Sequence, residues 1–102
     1  MKSDLVRAVF QDELERNRRL VERYEKEMLS LPKGSVFKRK LGNQEYYYLN
    51  YREGTKVVSR FLGNVNQYNL KELKSQLEKR KEYHQLLKKL KLEQKEILKE
   101  LK

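Results

Sequence analysis

The chain has 102 residues and a formal net charge of +10, with 39% charged and 37% hydrophobic side chains. This length leaves room for one domain with a modest core, so we expect residues 1–102 to form a single domain. The absence of cysteine excludes disulfides and thiolate metal sites, and it fits the cytoplasmic location that we expect. No apolar run has the length of a membrane span, so we expect no membrane partner.

A long amphipathic helix is predicted for residues 1–31. Ser3 or Asp4 can cap its first turn, and Pro32 disfavours helix at the preceding residue. Asn17 is a polar residue on the apolar seam, where such a residue usually fixes register or partner number. A wet, poorly packed position for Asn17 is the other interpretation. The seam has 3-4 helical spacing and consists of Phe10, Leu14, Asn17, Val21, Tyr24, Met28 and Leu31.

A three-stranded antiparallel sheet is predicted for residues 35–63. Its strands, residues 36–41, 44–52 and 55–62, are rich in β-branched and aromatic side chains. Gly42-Asn43 and Glu53-Gly54 suit two-residue hairpin loops. The two loops together predict the register: Leu49 between Val36 and Val58, Tyr48 between Phe37 and Ser59, and Tyr46 between Arg39 and Phe61. A loop one residue longer or shorter would exchange the two faces of the sheet.

A second long helix is predicted for residues 69–101, with Asn69 as its cap and Glu72 completing a capping-box-like arrangement. Its seam slips between Arg80 and His84, which indicates a change of partner from the sheet to another helix. The predicted fold is therefore α+β and elongated, with coiled-coil-like helices. We also expect a homodimer, whose interface would use Phe10, Leu14, Asn17, Val21, Tyr24, Met28, Leu87, Leu90 and Ile97.

The side chains that enzymes combine for catalysis do not occur together in this sequence. His84 is the only histidine and there is no cysteine, so the common nucleophile–base pairs are missing. The glycines are isolated and form no phosphate-binding loop. We therefore expect no enzyme activity, no cofactor, no metal site and no small-molecule substrate.

Cations and aromatic residues alternate through the predicted sheet, and residues 33–63 hold seven basic side chains against two acidic ones. Arginine and lysine neutralise phosphates, and exposed rings can stack on unpaired bases. Alternatively, the tyrosines form core and cross-strand pairs. The residues expected to bind nucleic acid are Arg39, Lys40, Tyr46, Tyr48, Arg52 and Lys56.

Three segments, Leu31-Pro32-Lys33-Gly34-Ser35, Tyr46-Tyr47-Tyr48-Leu49-Asn50-Tyr51-Arg52-Glu53-Gly54 and Phe61-Leu62-Gly63, together with Lys56, resemble a family of short bacterial, archaeal and phage proteins. The family has no assigned activity, so the resemblance implies no site. The strand–turn–strand followed by a helix is also similar, at the level of fold, to the sheet DNA-binding arm domains of phage and transposon integrases. Thr55 and the N-terminal helix depart from that pattern.

Two functional hypotheses follow. The first is a nucleic-acid-binding accessory protein, associated with a phage or mobile element, with DNA expected ahead of RNA. The second is a protein–protein module, such as a phage-type inhibitor of a bacterial defence or nucleoprotein complex. A homo-oligomeric coiled-coil scaffold is a third, purely structural interpretation.

Overall fold

A computed structural model of the protein describes residues 3–102 and shows two long helices flanking a sheet, which confirms the predicted α+β fold. The elements are α1 (Asp4–Leu29), β1 (Ser35–Leu41), β2 (Gln44–Glu53), β3 (Lys56–Asn64) and α2 (Leu70–Glu100). Contacts divide the chain into two compact units. One combines the chain up to Ser30 with Lys81–Lys102, and the other is Leu31–Arg80. The single domain expected over residues 1–102 stays a prediction.

Helix α1 begins at the predicted cap and ends two residues before the predicted end. The Ser3 hydroxyl accepts a hydrogen bond from the Val6 amide at 3.2 Å. At the other end, the amide and hydroxyl of Ser30 both donate to the Glu27 carbonyl, which closes the last turn. Pro32 therefore follows a helix that has already ended. The predicted start at residues 1 and 2 lies outside the described residues.

In the first unit, α1 pairs with the C-terminal part of α2 in antiparallel orientation. Asn17 Nδ2 donates to the Leu90 carbonyl at 2.7 Å, and the rings of Tyr24 and Tyr83 lie 5.3 Å apart. Residue numbers thus rise along α1 as they fall along α2. Asn17 is 1% exposed, so the wet interpretation of this position is wrong.

The residues expected at a homodimer interface pack largely within the single chain. Five of them are buried there: Leu14, Asn17, Leu87, Leu90 and Ile97. The other four are half-buried: Phe10, Val21, Tyr24 and Met28. Pairing of α1 with α2 therefore accounts for the burial of the seam, and the homodimer stays a prediction.

In the second unit, the sheet has the order β1-β2-β3 and is antiparallel throughout. The first hairpin has the predicted register, with Tyr48 opposite Phe37 and Tyr46 opposite Arg39. In the second hairpin, Leu49 lies opposite Arg60 and Tyr48 opposite Phe61, so the predicted partners Val58 and Ser59 are wrong. An irregularity between Tyr47 and Tyr48 places Tyr46 opposite Asn64, not opposite Phe61 as predicted.

The loop explains the error in the second hairpin. Glu53 pairs with Lys56, so the loop is Gly54-Thr55 and not Glu53-Gly54. Gly54 has φ 62°, and no residue other than glycine has positive φ among those described. Glycine at the first loop position is typical of a type II′ turn, whereas the predicted loop would place it second. The shift amounts to two residues, so every strand residue up to the irregularity keeps its predicted face.

The second unit also holds the first turns of α2. The Asn69 side chain accepts from the Lys71 amide at 3.1 Å, which confirms the predicted cap. Leu49 of β2 and Leu77 of α2 are both buried. The Arg80 guanidinium donates to the Leu31 carbonyl at 2.8 Å and ties α2 to the segment before β1.

Candidate nucleic-acid interface

One face of the sheet collects four aromatic rings and two guanidinium groups. Successive side chains of a strand point to opposite faces, so the even-numbered residues of β2 share one face with their cross-strand partners. We call this the aromatic face. Its rings and cations are Phe37, Arg39, Tyr46, Tyr48, Arg52 and Phe61.

The four rings form a continuous cluster across the three strands. The Tyr48 ring stacks on Phe37 at a centroid distance of 5.4 Å and meets Phe61 edge-on at 5.6 Å. Tyr46 lies 5.7 Å from Phe61 in a tilted arrangement. Such separations are those of favourable aromatic pairs, which hold one another in place. The expected cross-strand pairing of the tyrosines is therefore present.

These rings are not sealed in the core. Phe61 is 56% exposed and Val57, on the same face, is 65% exposed. Phe37, Tyr46 and Tyr48 are half-buried. By contrast Leu49, on the opposite face, is 4% exposed. The opposite face is thus buried around Leu49, whereas the aromatic face stays partly open.

The charge on the aromatic face has one sign. Arg39 and Arg52 are exposed, and among residues 3–102 neither takes part in an ion pair. The two strand carboxylates, Glu45 and Glu53, occupy odd positions of β2 and lie on the opposite face. Arg39 pairs with Tyr46, six positions from Arg52, so the two cations lie on the order of 20 Å apart along β2.

The structure brings together four of the six residues predicted to bind nucleic acid: Arg39, Tyr46, Tyr48 and Arg52. Lys40 and Lys56 are on the opposite face, where the strand register places them across from Glu45 and Glu53, respectively. The structure does not bring them together with the tyrosines, and their expected role in binding stays a prediction. Charge alone favours these two lysines, and the alternation of the strands separates them from the rings.

Two rings of the aromatic face were missing from the predicted set. Phe37 and Phe61 both lie opposite Tyr48, one on each side. The predicted faces already placed them with Tyr46 and Tyr48, so strand alternation was the signal that could have found them.

Polar groups lie between the ring cluster and Arg52. The Ser59 hydroxyl donates to Asn50 Oδ1 at 2.5 Å across the two strands. At the other end of the face, Asn64 Nδ2 donates to Gln44 Oε1 at 2.7 Å. Both pairs are exposed, and their remaining donors and acceptors can reach a bound molecule.

A family model matches residues 10–75, which is more than half of the chain. The chain belongs to the family described as Domain of unknown function (DUF6788). No curated protein and no solved structure matches it significantly. The DUF6788 match spans the α1 seam from Phe10 onwards, the whole sheet and the first turns of α2. The expected membership of a family without an assigned function is confirmed, while its specific motif and the likeness to integrase arm domains stay predictions.

Other kinds of site find no support in this DUF6788 chain. The described residues contain no group of three or more histidine, aspartate or glutamate side chains that could hold a metal ion. Between residues 3 and 102, neither helix has a stretch long and apolar enough to cross a membrane.

Proposed function

We propose that this protein is a non-enzymatic nucleic-acid-binding protein, and that the aromatic face is its binding surface. In this proposal the exposed rings stack on bases, and Arg39 and Arg52 hold phosphates. The observation that carries it is a sheet face without carboxylates, which holds a partly exposed ring cluster and two guanidinium groups without ion pairs. The resemblance to a family with phage members favours an accessory function for a phage or mobile element, and the absence of cysteine fits a cytoplasmic location.

The arrangement favours unpaired bases over duplex. A base can stack on an aromatic ring only when one of its faces is free, and in a duplex both faces are covered by neighbouring base pairs. Phe61 offers the most exposed ring and touches both Tyr46 and Tyr48. A nucleic-acid single strand lying along β2 would first contact Arg39 and the ring cluster, then the Asn50–Ser59 pair, and finally Arg52.

The proposal gives different expectations for rings and cations. Stacking of one base on one ring contributes about 1–3 kcal/mol, so Phe61→Ala should weaken binding of a short single strand about 5- to 150-fold. Each phosphate contact to a single strand contributes about 0.7 to the slope of log K against log salt. Removing Arg39 and Arg52 should therefore lower that slope by about 1.4.

The experiment is a fluorescence anisotropy titration of single-stranded DNA, single-stranded RNA and duplex DNA at several salt concentrations. It compares the wild type with Phe61→Ala and with the double variant Arg39→Gln/Arg52→Gln. The matched control is Lys40→Gln/Lys56→Gln, which removes two charges from the opposite face. We expect the control to keep most of the affinity, because Lys40 and Lys56 lie on the face opposite the rings, each across from a glutamate. Circular dichroism melting checks that each variant is folded.

Two results would overturn the proposal. The first is the absence of binding to all three nucleic acids at low salt. The second is an equal loss in the Arg39/Arg52 and Lys40/Lys56 variants, since this would mean that net charge and not the aromatic face determines affinity. A different outcome would assign the face to a protein–protein module instead. In that case the protein binds no nucleic acid but captures a protein partner from a nuclease-treated lysate, and Phe61→Ala loses this partner.

A further inference from the structure

The outer face of α2 carries a regular row of lysines. Lys81, Lys88 and Lys95 are seven residues apart, and all three are exposed. Seven residues are nearly two helical turns, so the side chains lie on one stripe at intervals of about 10.5 Å. In the sequence the same spacing continues at Lys74 and Lys102. We call Lys81, Lys88 and Lys95 the lysine stripe.

Carboxylates are largely excluded from the neighbourhood of this stripe. Side chains three or four residues apart are neighbours on a helix. At those distances Lys88 has His84, Gln85, Lys91 and Leu92, and Lys95 has Lys91, Leu92, Leu98 and Lys99. No carboxylate is among them. Lys81 has one, Glu78, three residues before it, together with Leu77, His84 and Gln85. The acidic residues of α2 occupy other positions: Glu72, Glu78, Glu82, Glu93, Glu96 and Glu100.

Helix α1 of the same unit shows the opposite arrangement. Arg18 and Arg19 each have both Glu15 and Glu22 three or four residues away. Arg16 contacts Glu13 at 3.5 Å in a further i,i+3 pair. A helix face that only needs to be solvated gains from such alternation, as in α1. The lysine stripe lacks this alternation of opposite charges, and its lysines repel one another instead.

Pairing between the helices neutralises only the edge of the stripe. Lys91, between Lys88 and Lys95, contacts Glu25 of α1 at 3.4 Å. Among residues 3–102, no ion pair involves Lys81, Lys88 or Lys95. The three lysines therefore form a row without ion pairs along about 20 Å of helix, with Glu78 beside Lys81 as the one carboxylate three or four residues from any of them.

We propose that the lysine stripe is a sequence-independent track for the phosphate backbone of a nucleic acid. Flexible ammonium groups are point charges that adapt to phosphates without fixed geometry. Leu92 and Leu98, 64% and 42% exposed, are the exposed large apolar side chains next to the stripe, which are too few for the apolar seam of a helical protein partner. The stripe contacts phosphates alone, so it should bind duplex as well as single strands, independently of stacking on the aromatic face.

The test measures the salt dependence of binding to a DNA duplex of about two helical turns. It compares the wild type with Lys81→Gln/Lys88→Gln/Lys95→Gln. Three lost phosphate contacts should lower the slope of log K against log salt by about 2.7. The matched control is Arg7→Gln/Arg18→Gln/Arg19→Gln, which removes three exposed charges from α1, where carboxylates lie nearby. We expect a clearly smaller change in the control.

The proposal is overturned if the two triple variants lose equal slope, or if the stripe variant keeps the wild-type slope. Absence of duplex binding at low salt would overturn it as well. Failure of the aromatic face is distinguishable, because Phe61→Ala would then leave single-strand affinity unchanged while the stripe variant still loses slope on duplex. Circular dichroism at equal concentration verifies that both triple variants retain their helices.

Discussion

Replacing Gly34 with alanine is expected to lower the free energy of unfolding by about 2–4 kcal/mol. Gly34 has φ 118°, a backbone conformation that residues with a side chain rarely adopt. Its missing side chain also matters, because a Cβ atom there would overlap the Asn50 carbonyl oxygen and come within 3.0 Å of the Tyr51 Cβ. Strand β2 would have to move, and β1 would lose its start against β2.

The measurement is urea denaturation followed by circular dichroism, with Gly42→Ala as the control. Gly42 also has positive φ, 64°, but nothing lies within 4 Å of its ideal Cβ position. This control isolates the backbone cost, which should be about 1–2 kcal/mol. A loss at Gly34 no larger than that at Gly42 would show that close approach to Asn50 contributes nothing.

The two helices and the break after α1 could be predicted because their determinants are local. A capping serine, a 3-4 spacing of apolar residues and Pro32 act within a few positions of the chain. The first hairpin followed in the same way from Gly42-Asn43 and the strands around it. Such features need no knowledge of distant residues, so a single sequence contains them.

The register of the second hairpin and the packing partner of the α1 seam depend on more than the local sequence pattern. Glycine in a two-residue loop can hold the first or second position, and only the turn type decides which. Likewise, an apolar stripe of residues such as Leu14 and Leu87 indicates that a helix packs, but not whether its partner lies in the same chain. The structure shows an antiparallel pair within the chain.

The candidate site was predicted in part for a similar reason. Alternation along β2 places Tyr46, Tyr48 and Arg52 together, and this periodicity survives a register error of two residues. Lys40 and Lys56 were added on charge, which has no periodicity and does not tell one face from the other. The physical criterion that separates the two faces is the position of Glu45 and Glu53.

Replacing Asn17 with aspartate is expected to cost at least about 3 kcal/mol of stability near neutral pH. Asn17 is 1% exposed, and its Nδ2 donates to the Leu90 carbonyl at 2.7 Å. Its Oδ1 is buried without a partner among the described residues. A carboxylate would bring a charge into this place and set a second acceptor against the Leu90 carbonyl, where a donor is needed.

The cost at Asn17 should depend on pH in a direction that identifies its cause. Burial raises the pKa of the introduced carboxyl above the value of about 3.9 for an unfolded chain. At a pH below about 3.9 the carboxyl is protonated in both the folded and the unfolded state, so its ionisation takes nothing from the stability. As the pH rises above that value, the loss of stability grows. Denaturation of the variant and the wild type at acid and neutral pH should therefore show a smaller difference under acid conditions.

Asn17→Leu separates the charge from the shape of the site. Leucine has the same number of side-chain heavy atoms with the same branching, removes the unpartnered Oδ1 together with the hydrogen bond to Leu90, and should stay within about 1 kcal/mol of the wild type. If leucine instead lowers the stability as much as aspartate does at neutral pH, the hydrogen bond from the Asn17 amide to the Leu90 carbonyl is what holds α1 and α2 in register. If neither variant loses stability, Asn17 does not lie buried against Leu90.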